Sequence, residues 1–260
     1  MPLLYVDVLG VKARWRLGGP DLVVATYSRF EQLLQEVLAS VQEQPTAGGI
    51  ESDALGLVFD STVGALQVGC ALFAAAFEYS TDNIGDQIWL RGVISPTETK
   101  GALVTEAPLG HGNTLTARHF SIDLLRAINV EQSGTKGMRL LLDQKLYGDE
   151  VFDDLAIPIG QSRHLIAVKA LANSVYPNVP SASDAGYADV FWMVPNPLTH
   201  WDQWKAQEIR LSRVLRSAGR NSEEFAQLSA MALVFNEVAA ILGSISLRQK
   251  DALPGVPGSQ

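Results

Sequence analysis

The chain has 260 residues, 47% of them hydrophobic, and a formal net charge of −8. Length and apolar content suffice for one large domain with its own core, or one domain and an appendage. The acidic balance argues against general nucleic-acid or anionic-membrane binding, though not against one nucleotide held at a local metal site, and a single cysteine, Cys70, excludes an internal disulfide framework.

No basic stretch precedes the first apolar run, so no signal peptide is expected. The longest apolar run, around Leu66 to Phe77, is too short to span a bilayer, which takes about 18 residues or more. The expectation is a soluble cytoplasmic protein.

Leu3 to Val11 reads as a buried strand, and Lys12 to Pro20, with Gly18, Gly19 and Pro20, as a loop. Asp21 then caps a long helix from Leu22 to about Gln44, because Val23, Tyr27, Phe30, Leu33, Leu34, Val37, Leu38 and Val41 recur at helical spacing. Pro45 and Gly48-Gly49 stop it. Residues 48 to 60, GGIESDALGLVFD, read as two short strands joined by a tight turn over Glu51 to Ala54. Ser61 or Asp60 caps a second helix, Thr62 to about Ser80, apolar on most sides and therefore packed against a sheet or a partner. Cys70 lies within it and reads as a small core residue.

IWLRGVIS, residues 88 to 95, is a central strand. Gly110, Gly112 and Asn113 lead into a helix from Thr114 to about Ala127. GMRLLLD (137–143) and HLIAVKAL (164–171) are two more strands, and Pro158, Pro177, Pro180, Pro195 and Pro197 break up what lies between that core and the end. Trp201 to Leu247 is helical in two segments separated at Gly219 and Asn221. Residues 251–260 are a Pro/Gly/Ser tail. The order predicts an α/β (α+β) fold of ferredoxin-like pattern, with a mostly antiparallel sheet and helices on one face. The domains expected are a core over 1–194, a C-terminal helical extension over 195–250 and a flexible tail over 251–260.

Asp7 stands in the middle of the first strand, where an unpaired carboxylate costs several kcal/mol or so. Either it is hydrogen-bonded to a helix N-terminus or to backbone amides, or it holds a cation. Asp53 sits at the tip of the hairpin after the first helix, where Asp is also an ordinary turn residue. A ferredoxin-like sheet lays the first strand beside that hairpin, so the two carboxylates can converge on divalent cations. Mg²⁺ prefers one or two carboxylates plus phosphate oxygens to a full protein cage.

These residues resemble the class III nucleotidyl cyclases. The resemblance rests on Asp7-Val8-Leu9-Gly10 in the first strand, Ser52-Asp53 at the hairpin tip, Arg91-Gly92-Val93-Ile94 in the central strand, and Gly112-Asn113 with Arg118 at a helix start. It covers roughly residues 3 to 171. Within the family, the size, the Ser-Asp hairpin and the Arg-Gly-x-Ile strand are most similar to the pyrimidine (uridylate or cytidylate) cyclases of bacterial Pycsar anti-phage defence systems. The resemblance implies two Mg²⁺ or Mn²⁺ ions held by Asp7, Asp53 and the Val8 backbone carbonyl. It also implies catalytic roles for Arg91, Asn113 and Arg118, and UTP or CTP bound near Val8, Gly10, Gly49 and Arg91. Lys12, Arg14 and Arg16 follow the first metal residue and are candidates for triphosphate contact. The product would be cyclic UMP, or alternatively cyclic CMP, read by a separate effector protein. Active sites shared between two subunits imply a homodimer.

Two departures stand out. Adenylyl cyclases carry a purine-reading Lys four residues before the hairpin Asp, where this chain has Gly49, and the family's Asn-to-Arg spacing is four where Asn113 to Arg118 is five. Each site residue also has a plainer reading: Arg91 can pair with a carboxylate, and Asn113 can serve as an N-cap. A non-catalytic cyclase-like binding domain is the rival reading, against which the retention of both aspartates speaks. His111, His119, His164 and His200 form no zinc pattern, and no Walker loop, GxGxxG or GxSxG occurs. Trp192, Trp201 and Trp204 are expected to pack the C-terminal helices, and Arg210, Arg213, Arg216 and Arg220 to form a solvated face.

Overall fold

The computed structural model describes residues 1–51, 54–83, 86–97, 108–109, 113–114, 137–146, 156–159, 163–169, 187–193, 201–218, 225–232 and 235–236. The first strand, β1, is Pro2–Leu9. Its even-numbered residues Leu4, Val6 and Val8 enter the main core, while Leu3 and Tyr5 enter a smaller cluster on the opposite sheet face. β1 therefore alternates as a strand buried on both sides does.

Helix α1 is Val11–Ser40, which corrects the loop expected over residues 12–20. Gly10, in the left-handed region at φ 83°, turns the chain directly from β1 into the helix, and its carbonyl accepts the Arg14 N–H at 3.0 Å. The Gly-Gly-Pro run makes a kink within the helical stretch. Gly19 is non-helical (φ 66°, ψ −157°) and Pro20 follows it, a residue suited to restarting a helix because its missing N–H has no partner there anyway. Arg14 bridges the kink by donating to Thr26 Oγ1 at 2.8 Å. Beyond the kink, Phe30, Leu33, Leu34 and Val37 face the core.

The hairpin is as expected, β2 (Ala47–Glu51) and β3 (Ala54–Val58), with the two turn residues outside the described set. Helix α2 is Thr62–Asp82, and its N-cap is Ser61. The Ser61 hydroxyl accepts the Gly64 N–H at 2.9 Å and donates to the Glu43 carboxylate. Ser80 ends the helix against the next strand, donating to the Ile88 carbonyl at 2.8 Å and accepting the Ile88 N–H at 2.7 Å. By length and composition alone α2 could cross a membrane, so the apolar run is longer than the sequence reading allowed. Its buried residues, Leu66, Leu72, Phe73 and Phe77 among them, instead pack into the main core with β1 and β4. Cys70 lies there too, and burial pushes its thiol well above the ordinary range.

The remaining strands are β4 (Trp89–Pro96), β5 (Pro108–Leu109), β6 (Asn113–Thr114), β7 (Leu140–Asp143), β8 (Ala156–Ile159), β9 (Arg163–Lys169) and β10 (Tyr187–Phe191). A helix, α3, spans Trp201–Ser217. Four strands, β5, β6, β8 and β10, were not anticipated. The helix expected to begin at Thr114 is corrected at its start, since Asn113 and Thr114 pair with Leu109 and Pro108 in a short ladder. The rest of that helix, like the tail, falls outside the described residues.

Among the described strands the main sheet has the order β2-β3-β1-β4-β7-β10-β9-β8. Its first four members are two interleaved βαβ units, β1-α1-β2 and β3-α2-β4, every neighbouring pair antiparallel. That is the ferredoxin-like arrangement, and β4–β7 is the one parallel pair among the described strands. The C-terminal part shares the same core. Trp204, Leu211 and Val214 of α3 and Leu228, Met231 and Phe235 beyond it are buried in one cluster with α1, α2 and the sheet. Trp204 stacks on Phe191 at 4.7 Å and lies 4.3 Å from the Phe235 ring. Trp192 packs on α2 instead, 5.6 Å from Phe73 and 5.7 Å from Phe77.

Candidate active site

Strand register assembles the site. Asp7 is paired with Ala54 of β3 on one side and with Arg91 of β4 on the other. Alternation puts these three on one sheet face, that of Leu3, Tyr5, Val58, Val93 and Leu141. One strand further, Gly92 pairs with Leu140 and donates its N–H to the Arg139 carbonyl at 2.9 Å. Arg139 therefore stands opposite Arg91, and alternation with Leu141 puts it on the same face. The result is a transverse row, Ala54–Asp7–Arg91–Arg139, with backbones spaced by about 4.8 Å per strand.

Asp7 and Arg91 are half-buried, and Arg139 is only 2% exposed. Opposed charges across a ladder attract and like charges repel. Asp7 and Arg91 are register partners of opposite charge, and Arg91 and Arg139 occupy neighbouring positions of like charge. Arg91, half-buried, offers an anion on this face a planar guanidinium fork.

The other expected residues are placed as follows. Val8 points its side chain into the main core, so only its backbone is available to a ligand. The β1–β3 pairing ends at Asp7–Ala54 while β1–β4 continues to Leu9–Trp89, so β3 does not cover the Val8 edge of β1. Gly10 supplies the left-handed turn described above. Gly49 is half-buried and shares a row with Gly56, Tyr5 and Val93, one step along the sheet from Asp7. Asn113 lies in β6, paired with Leu109. Asp53 and Arg118 fall outside the described residues. Lys12 and Arg16 are exposed on the first turns of α1, and Arg14 is engaged with Thr26.

Gly92 has a packing role that the sequence reading did not give it. A Cβ there would come within 2.7 Å of the Tyr5 carbonyl oxygen and 3.3 Å of Phe73 Cζ. Arg139 was missed altogether.

No cluster of three or more metal-binding side chains occurs among the described residues. Asp7 is the row's one described carboxylate. A half-buried carboxylate near the end of β1, beyond which no described residue of β3 pairs with β1, suits a hard cation that takes its other ligands from phosphate and water.

No family model and no curated protein matches the chain. Solved structures similar to it include the guanylyl cyclase Cya2, 12% identical with a TM-score of 0.44 over 73% of this chain and 90% of its own. A bacterial light-regulated adenylyl cyclase is 8% identical with a TM-score of 0.44, covering 79% and 96%. The guanylate cyclase domain of RhGC from Catenaria anguillulae, solved in complex with GTP, is 12% identical with a TM-score of 0.43, covering 73% and 92%. Likenesses this loose carry no argument about activity.

Proposed function

We propose that the chain is a nucleotidyl cyclase, converting UTP to 3′,5′-cyclic UMP and pyrophosphate. The observation that supports this most is the register of Asp7, which sets it beside Ala54 and opposite Arg91. Asp53, the residue before Ala54 in the sequence, lies outside the described residues. In this reading Asp7, Asp53 and the Val8 carbonyl hold two Mg²⁺ or Mn²⁺ ions. Bound there, such ions acidify the ribose 3′-hydroxyl and neutralise the triphosphate.

The chain's own part is positioning and charge, which is most of what phosphoryl transfer requires. Arg91 orients the nucleotide through its phosphates or its base. Asn113 and Arg118 assist at the transferred phosphoryl group. The 3′-oxygen bonds to the α-phosphorus, the bond from that phosphorus to the pyrophosphate oxygen breaks, and the hydroxyl proton passes to solvent. The pyrimidine reading rests on the motif resemblance and on Gly49, which offers no side chain to read a purine. With it come a cytoplasmic homodimer with shared active sites and a product read by a separate effector in anti-phage defence.

The test is Mn²⁺-dependent turnover of UTP by the purified protein and by Asp7→Asn and Asp53→Asn. Loss of product by at least about 100-fold in both variants, with unchanged melting, is expected. Turnover surviving in either variant would remove the two-carboxylate assignment.

A further inference from the structure

We propose that Gln227, on the helical residues 225–232, is a positioning residue for the β4–β7 join beside Arg91, an inference that rests on the cyclase reading for its functional meaning. Gln227 is buried. Its Oε1 accepts the Gly137 N–H at 2.6 Å across 90 residues of sequence. Gly137 has φ +89°, and a Cβ there would come 3.0 Å from Met231 N and 3.1 Å from the Gln227 carbonyl oxygen. Only a glycine lets the strand entry lie this close to the helix backbone.

From Gly137 the chain runs through two further anchors. The Met138 carbonyl accepts Trp192 Nε1–H at 3.3 Å, and the Arg139 carbonyl accepts the Gly92 N–H at 2.9 Å. The β4–β7 ladder is short, with register pairs only from Gly92–Leu140 to Ile94–Leu142. Its first bond is thus two residues from the Gln227 contact and one from Arg91.

A buried N–H that loses its acceptor is costly, and a glycine has the conformational freedom to move and escape that cost. Removing the Gln227 oxygen therefore frays β7 from its N-terminal end, which loosens the β4 backbone beside Arg91. Gln227 is a direct hydrogen-bonded link from the C-terminal helical residues to the entry of β7. The functional consequence is weaker holding of the polyphosphate, a KM effect.

The test uses the full chain with Gln227→Met, which keeps length without an acceptor, and Gln227→Glu, which restores one. Amide hydrogen exchange at Gly92 is expected to speed at least tenfold in Gln227→Met and to return toward wild type in Gln227→Glu. The KM for Mn²⁺–UTP should rise about tenfold and recover in parallel. Exchange at Gly92 unchanged in Gln227→Met would overturn the proposal whether or not any nucleotide is turned over. The opposite split, with Gly92 exchange faster but no nucleotide consumed by the wild type, would leave the positioning intact and refute the cyclase reading. If Gln227→Met does not fold, native-state exchange of the wild type decides. Gly137 and Gly92 opening together with residues 225–232 at low denaturant supports the coupling, and Gly92 opening only with β1 overturns it.

Discussion

Gly92→Ala is the sharpest probe of the central strand. The added methyl would sit 2.7 Å from the Tyr5 carbonyl oxygen, 3.2 Å from Val6 Cγ2 and 3.3 Å from Phe73 Cζ. The first of these is backbone of the adjacent β1, so it cannot turn aside as a side-chain tip can. Either β1 and β4 separate or α2 lifts from the sheet at Phe73. Overpacking of this kind costs about 1–3 kcal/mol. At this chain length that is a fall in Tm of roughly 2–12 °C. Gly56→Ala is the matched control. It lies on the β3 side of β1, and its Cβ would meet nothing nearer than Leu3 Cδ1 at 4.0 Å. There the substitution should be neutral, or stabilising by about 0.4–1 kcal/mol through the unfolded chain. Thermal melting by circular dichroism reads both. Equal Tm values for the two variants would refute the claim that Gly92 is fixed by close approach of β1 and α2.

Other perturbations follow from the same packing. Ser61→Ala removes the acceptor for the Gly64 N–H and should cost about 1 kcal/mol in a denaturant melt. Trp204→Ala, which empties the space between Phe191 and Phe235, should cost about 3–5 kcal/mol. For the same reason a chain ending at Pro197 should fail to give a stable soluble product, as size-exclusion chromatography would report. Cys70 should resist Ellman's reagent in the folded protein at pH 8 and react at once in denaturant. Because burial raises its folded pKa, its contribution to stability is present below the ordinary thiol pKa of about 8.5 and is lost as pH rises above it. Cys70→Ala should therefore flatten the alkaline end of the stability profile.

Much of the fold was legible because the strongest signals were local. The alternation of Leu3 to Leu9, the serine before Thr62 and the apolar period of residues 23 to 37 each specify an element without help from elsewhere. Misreadings occurred where local chemistry points one way and long-range packing another. Gly18-Gly19-Pro20 signals a break, yet helix lies on both sides of it, and Arg14 reaching Thr26 across the kink cannot be seen in a linear scan. Tyr187–Phe191 follows a proline-rich stretch and becomes a strand through pairing with β7 and β9. For the site, Asp7 was conspicuous as a charge in an apolar run and Arg91 likewise. That they are register partners depends on which strands neighbour one another, which is a property of topology. Arg139 joins them only through the parallel β4–β7 crossover, and a sequence does not announce a crossover partner.

The most direct measurement is the mass of whatever the purified protein makes from ATP, GTP, CTP and UTP, each supplied singly with Mn²⁺. The account predicts a product from UTP with the mass of a cyclic uridine monophosphate, released with pyrophosphate and absent in Asp7→Ala. A cyclic cytidine product would keep the chemistry of the row and correct the base. No cyclic product from any of the four would contradict the account and leave the Asp7–Arg91 pair as a structural feature of the sheet.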